Sequence, residues 1–152
     1  MTGKGETLRR VVILLLAPLR ALELRPSSSE QPREADLLWH VGHAGFDACR
    51  ALIAPFQPGE MISTRFGDRF HGQRNREPWH GDRPEPESVF AWWHDILASA
   101  EATLAAHDRP ESLPEPVPFT AYTVHTLDEA YDYVIYHTSF HLGLAQGMRQ
   151  RE

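Results

Sequence analysis

The sequence predicts an all-α fold, a bundle of four long helices with a long crossover connection between the second and the third. Three observations predict it. Four segments repeat apolar side chains at three- and four-residue steps, the period of a helix with one buried face. Proline, glycine and serine clusters fall between those segments and mark their ends. Nothing between them reads as a sheet: Phe119 to Val124 has strand character, but no second stretch offers itself as a partner.

The first helix is predicted from about Glu6 to Leu24, with Leu8, Val11, Leu15, Leu19 and Leu22 as its stripe. Pro18 is expected to kink or restart it, because proline removes a backbone donor and crowds the preceding turn. Pro26 and Ser27 to Ser29 mark its end. The second is predicted from Asp36, as N-cap, to about Ala54, closed by Pro55, Pro58 and Gly59. Trp39, His43, Phe46, Cys49 and Ile53 form its stripe. The third starts at Pro86 or Glu87 and runs to about His107, with Val89, Trp93, Ile96, Ala100 and Thr103 or Leu104 as the seam. The fourth opens on a capping box, Thr126-Leu127-Asp128-Glu129, in which Thr126 and Glu129 satisfy each other's free amides. Its seam is Leu127, Ala130, Val134, His137, His141, Leu144 and Met148.

About thirty residues, Pro55 to Glu85, join the second and third helices. At ~3.3 Å per extended residue they can run the length of a ~30 Å helix, so these two helices can be parallel. The other two connections are shorter, and 152 residues with 41% hydrophobic and 24% charged suit a single domain spanning 1–152.

Charge narrows the function. Fifteen Lys+Arg against 21 Asp+Glu leave a net charge of −6, which supplies no dominant basic field for nucleic acid or an anionic membrane. The apolar run Val11 to Ala17 is too short for the roughly 20 residues that a span needs. One cysteine, Cys49, excludes an internal disulfide and suits a reducing compartment, so a cytoplasmic protein is expected. Exposed aromatics such as Phe90 and Trp92 make a homodimer plausible for so small a bundle.

The histidines carry the chemistry. His137 and His141 are four apart, on one face of the fourth helix and within its apolar seam. A core histidine loses hydration at its ring nitrogens unless a partner takes them, so two neighbours need hydrogen bonds or one metal. His43 repeats the conflict between Trp39 and Phe46 on the second helix. A hydrogen-bonded cluster and a three-histidine metal site with open positions both stay open on spacing alone. His40, beside Asp36 and Asp47, reads as a salt-bridged or partly exposed side chain and as the reserve ligand. No inward carboxylate is evident on the ligand helices, so no catalytic acid or base is assigned. Asp47, one turn beyond His43, is placed to orient a water or a ligand. His94 and His107 read as surface positions, and His71, His80 and His125 lie in connections.

These stretches resemble the DinB-like superfamily of metalloenzymes. Leu38-Trp39-His40-Val41-Gly42-His43 is similar to that family's tryptophan followed four residues later by its first ligand histidine. His137-Thr138-Ser139-Phe140-His141 matches its HxxxH pair, and His141-Leu142-Gly143 with Met148-Arg149 is similar to the end of its last ligand helix. Leu144 departs from the glutamine that many members carry after the glycine. The resemblance covers nearly the whole chain. It implies an up-down-down-up bundle and one divalent transition metal (Zn, Ni or Fe) on His43, His137 and His141. It also implies a small-molecule substrate and, from some relatives, thiol S-transfer with a low-molecular-weight thiol. A non-enzymatic metal or small-ligand binding protein on the same bundle is the alternative. Arg65, Arg69, Arg74 and Arg76 could clamp a thiol cofactor's carboxylates, although a solvated loop is the simpler expectation.

Overall fold

The computed structural model describes residues 3–23, 31–71, 84–108 and 110–149. The fold is mostly helical, with a small two-stranded sheet. Its elements are α1 (Gly3–Glu23), α2 (Gln31–Leu52), a single-turn α3 (Met61–Thr64) followed by a 3-10 turn (Gly67–Phe70), α4 (Pro86–Ala106), β1 (Ser112–Pro118), β2 (Thr123–Thr126) and α5 (Leu127–Arg149).

Helix α1 is helical through Pro18, where a kink or restart was expected, and its buried stripe is Leu8, Val12, Leu15 and Leu16. Helix α2 begins at Gln31, five residues before the expected cap at Asp36. Helix α4 starts with Pro86 in its first turn, where proline's missing N–H costs nothing. Val89, Trp93, Ile96, Ala100 and Thr103 are buried as the seam requires. Phe90 and Trp92 are buried too, which removes both as the exposed aromatics of a dimer face. Their positions complete a wide apolar face, because α4 is covered by α1 and α2 together.

The capping box of α5 forms with a shift of one residue. The Glu129 amide donates to Thr126 Oγ1 at 3.2 Å, and the Glu129 carboxylate accepts from the amide of His125 at 2.8 Å. Leu127, Ala130, Val134 and His141 lie in the buried face with Tyr131, Thr138 and Ala145. Leu144 does not: it is exposed, because α5 keeps a 3.6-residue period and drifts off a strict heptad step. The side chains of Leu19, Leu22 and Met148, and the residues Arg74, Arg76, Trp79 and His80, lie outside what the structure describes.

The strand expected over Phe119 to Val124 is for the most part the turn between two strands, Phe119 to Tyr122, and only Thr123 and Val124 lie in β2. The Pro-rich segment Leu113-Pro114-Glu115-Pro116-Val117-Pro118 pairs antiparallel with β2, Val117 opposite Val124 and Pro118 opposite Thr123. Prolines two residues apart put their missing N–H groups on one edge and leave the other edge free to pair. The register is broken between Ser112 and Val117.

Side-chain contacts tie the helices together. Lys4, at the start of α1, pairs with Asp128 (2.7 Å) and Asp132 (2.8 Å) at the start of α5. Burial pulls the Lys4 pKa down, but the two carboxylates outweigh it and hold the ammonium above its ordinary value. Arg9 reaches Glu101 late in α4, and Arg20 lies over the ring of Phe90 early in α4. Trp93 Nε1 donates to the Val41 carbonyl (3.0 Å), and Tyr131 Oη donates to the Ala100 carbonyl (2.8 Å). No described helix is long and apolar enough to cross a membrane.

Candidate metal centre

His43 on α2 and His137 and His141 on α5 come together, each offering one ring nitrogen, with these atoms all within 4.8 Å of one another. The helical spacing accounts for the pair: four residues put His137 and His141 on adjacent turns, with Nε2 to Nε2 at 3.2 Å. His43 faces both rings at centroid distances of 5.2 and 5.0 Å.

Glycine positions the first of them. A Cβ on Gly42 would lie 2.1 Å from the ring of Phe70, so only glycine lets the 3-10 turn press against α2 there. The same contact brings the Phe70 carbonyl 2.7 Å from His43 Nδ1. A carbonyl only accepts, so Nδ1 carries the hydrogen and, in the neutral ring, Nε2 presents its lone pair. Trp39 stacks on the other side of that ring at 4.6 Å, nearly parallel.

His40 is partly exposed, as one of its two readings had it, but its partner is a histidine and not a carboxylate. It is half-buried, with Nδ1 at 2.8 Å from His141 Nδ1. One of the two nitrogens donates; with His141 as donor, its Nε2 is left as a lone pair directed at His137. His141 is 4% exposed, and burial first, then the neighbouring histidines, lowers its pKa to about 2. Burial, with His43 close by, lowers His40 to about 4. His137 is lowered too, chiefly by burial, with Asp47 pulling the other way.

Asp47 corrects the expectation of no inward carboxylate. It is 5% exposed, and its Oδ2 accepts from Tyr133 Oη at 3.0 Å and lies 3.6 Å from His137 Nε2. Arg50 approaches Oδ1 at 3.5 Å. Burial, then the Asp47 charge, raises the Tyr133 phenol well above its ordinary range, which keeps it a donor. Tyr133 in turn lies between Phe119 (3.9 Å) and His137 (5.4 Å), with all three rings nearly parallel.

The donor set fits a divalent cation. Imidazole nitrogens ~2.1 Å from a tetrahedral ion stand ~3.4 Å apart, near the observed 3.2 Å for the pair. Two lone pairs so close repel unless a proton or a cation lies between them. Two of the three rings are held from behind, by Phe70 and His40, as metal-binding imidazoles usually are.

The histidines lie along a cleft of about 1150 Å³ whose far side is the β1–β2 turn. His71 lines it, as do Asp47 and His40. Arg65 does not: it pairs with Asp95 on α4 at 2.7 Å. Arg69 is exposed away from the cleft lining, so neither described arginine of that connection clamps a ligand here. His94 is exposed as expected, and His107 bonds Glu111 (2.9 Å) and packs on Phe56. Sequence reasoning missed Gly42, Phe70, Tyr133 and Phe119. Gly42, beside a histidine of the cluster on a helix, was the one signal that pointed to a close approach. No protein-family model matches the chain, and no curated protein or solved structure matches it.

Proposed function

We propose that the chain is a metal-dependent enzyme acting on a small molecule, with His43, His137 and His141 holding one divalent transition metal, zinc, nickel or iron. One observation carries this reading: three buried or half-buried imidazole nitrogens from two helices converge within 4.8 Å beside an open cleft. Three ligands leave further coordination positions, which is the pattern of a catalytic rather than a structural site. Imidazole alone does not select among the three metals.

The wider reading is a DinB-like, up-down-down-up four-helix bundle. The pairing of Lys4 with the start of α5, and of Arg9 and Arg20 with the end and start of α4, supports α1 parallel to α5 and antiparallel to α4. The His40–His141 and Asp47–Tyr133 contacts support α2 antiparallel to α5. Helices α2 and α4 are then parallel, as the long connection between them allows. Thiol S-transfer or related chemistry with a low-molecular-weight thiol follows from the same resemblance.

A cation at this site supplies Lewis acidity, which stabilises the anionic form of a thiol or hydroxyl near neutral pH. The chain supplies the rest. His40 and the Phe70 carbonyl fix the rings of His141 and His43. Asp47, held by Tyr133, adds a negative charge beside His137 that attracts the cation. Its Oδ2 is placed to accept a proton from a substrate's acidic group.

Metal content of tag-free protein, compared with His137→Ala, tests the site. Stoichiometric metal in the parent and none in the variant is expected, because two imidazoles hold a divalent ion far more weakly than three. Equal metal in both would refute the three-histidine assignment. Turnover of electrophiles with a panel of thiols then separates an enzyme from a binding protein.

A further inference from the structure

The cleft beside the histidines is walled by aromatic rings. Phe119, on the β1–β2 turn, stacks on Tyr133, and Trp39 forms the opposite side over His43. At the mouth stand Tyr136 and Phe140, one turn apart on α5, with 70% and 53% of their surface exposed. Among the described residues six large apolar side chains are exposed, and Tyr122, Tyr136, Phe140 and Leu144 of these all line this cleft. Scattered exposed apolar residues need no explanation, but their concentration at one cleft mouth does.

Charge decides what kind of ligand fits. Among the described residues Arg50 is the one arginine or lysine lining the cleft, and it is already occupied. Its Nη2 donates to the Pro118 carbonyl at 2.9 Å, its Nη1 faces Asp47, and its guanidinium lies 4.8 Å over the Phe119 ring. The other charged lining groups are acidic: Asp47, Glu129 and Asp132. Among the described residues of the cleft wall a carboxylate-rich ligand would meet these acids and no free arginine or lysine, so this wall favours a neutral ligand. An aromatic ring gains stacking and edge contacts on several sides.

We propose that the cleft binds a neutral aromatic small molecule, its ring held by Tyr136, Phe140 and the edge of Phe119 and its thiol or hydroxyl head turned toward the histidines. This rests on the metal-site reading only for the head group. The ring site stands on the cleft alone, and neither Arg65 nor Arg69 takes part in it.

Calorimetric titration tests it with three probes. Benzyl alcohol is titrated into metal-free protein, and benzyl mercaptan and mercaptosuccinate into zinc-loaded protein. Benzyl alcohol should bind the metal-free chain, and benzyl mercaptan should bind at least about tenfold more tightly than mercaptosuccinate. In a Tyr136→Ala/Phe140→Ala variant, exposed positions whose truncation spares the core, both aromatic probes should weaken about three- to tenfold, the size of aromatic pair energies. Zinc content and mercaptosuccinate affinity should not change. Equal affinity for the two thiols, or unchanged aromatic binding in the double variant, would overturn the inference while leaving the metal site intact. If zinc fails to bind yet benzyl alcohol binds and the variant weakens it, the metal reading fails and the ring site stands. Self-association abolished by the same variant, with no benzyl alcohol uptake at any protein concentration, would overturn it in favour of a second copy of the chain.

Discussion

Helix α2 is buried on two sides of opposite chemistry. Toward α4 it offers the Val41 carbonyl and the bare backbone of Gly45, and two tryptophans fill the space: a Cβ on Gly45 would lie 2.9 Å from Trp92 and 3.3 Å from Trp93. Both indole N–H groups on that side are satisfied, Trp93 by Val41 and Trp92 by the Ile62 carbonyl at 2.7 Å. Toward α5 the same helix presents Trp39, His40, His43 and Asp47. There three histidine pKa values are pushed down, and the buried Trp39 Nε1 has no hydrogen-bond partner among the described residues. A leucine or valine at these positions would bury as well without the desolvation cost. One side is built for stability; the other gives some up, which is what a functional site does.

The largest effect that separates the two sides is expected at Trp93. Trp93→Ala removes a fully buried ring and its hydrogen bond to the Val41 carbonyl, and should cost about 3–5 kcal/mol by denaturant unfolding. The metal affinity of the fraction that stays folded should hold, because Trp93 touches none of the three histidines. Loss of metal in step with loss of stability would mean that the two sides are one unit.

Gly42→Ala comes next and attacks the contact between a core ring and a histidine of the proposed metal site. The new Cβ would stand 2.1 Å from Phe70, so the 3-10 turn must move. Overpacking of this kind costs about 1–3 kcal/mol. Its diagnostic consequence lies at His43, whose Nδ1 loses the Phe70 carbonyl. Metal affinity should fall about tenfold or more, the usual result of removing support behind a ligand. Gly45→Ala, matched in type but pressing on tryptophans, should cost stability alone. Equal metal loss in both variants would break the comparison.

Much of this was legible in the residues. Four helices, the α4 seam and the convergence of His43, His137 and His141 follow from period and from the cost of burying imidazole. What was not legible depended on contacts between distant segments. Phe70 reaches α2 from a turn 27 residues beyond His43, and no local period announces it. Asp47 was read as a supporting group near His43 but not as a buried carboxylate, because its partner, Tyr133, is 86 residues away. The β1 strand was hidden by prolines that normally argue against a sheet, and their two-residue spacing is what permits it. Leu144 was assigned to the core by a heptad step that a 3.6-residue helix does not keep.

The smallest predicted effect concerns acid and the metal-free protein. His40, His137 and His141 all have folded pKa values below the ordinary 6.5, His40 at about 4 and His141 at about 2. Between about pH 6.5 and 4 the unfolded chain therefore binds more protons at these rings than the folded chain does. The stability they contribute is fully present above pH 6.5 and is lost as pH falls through that window. Each such group gives a slope of at most about 1.4 kcal/mol per pH unit, and solvent at the half-buried His40 and His137 reduces it, so a total near 1–2 kcal/mol per unit is expected. Measuring between pH 7 and 5 keeps most carboxylates ionised and isolates the imidazoles. The Trp93 side has no comparable group, so Trp93→Ala should lower the whole curve without changing its slope. His141→Leu should flatten the slope, because it removes the most strongly shifted ring while filling its volume. A flat profile in the parent chain would mean that these histidines are open to water when no metal is bound, and that the polar side of α2 closes only around the ion.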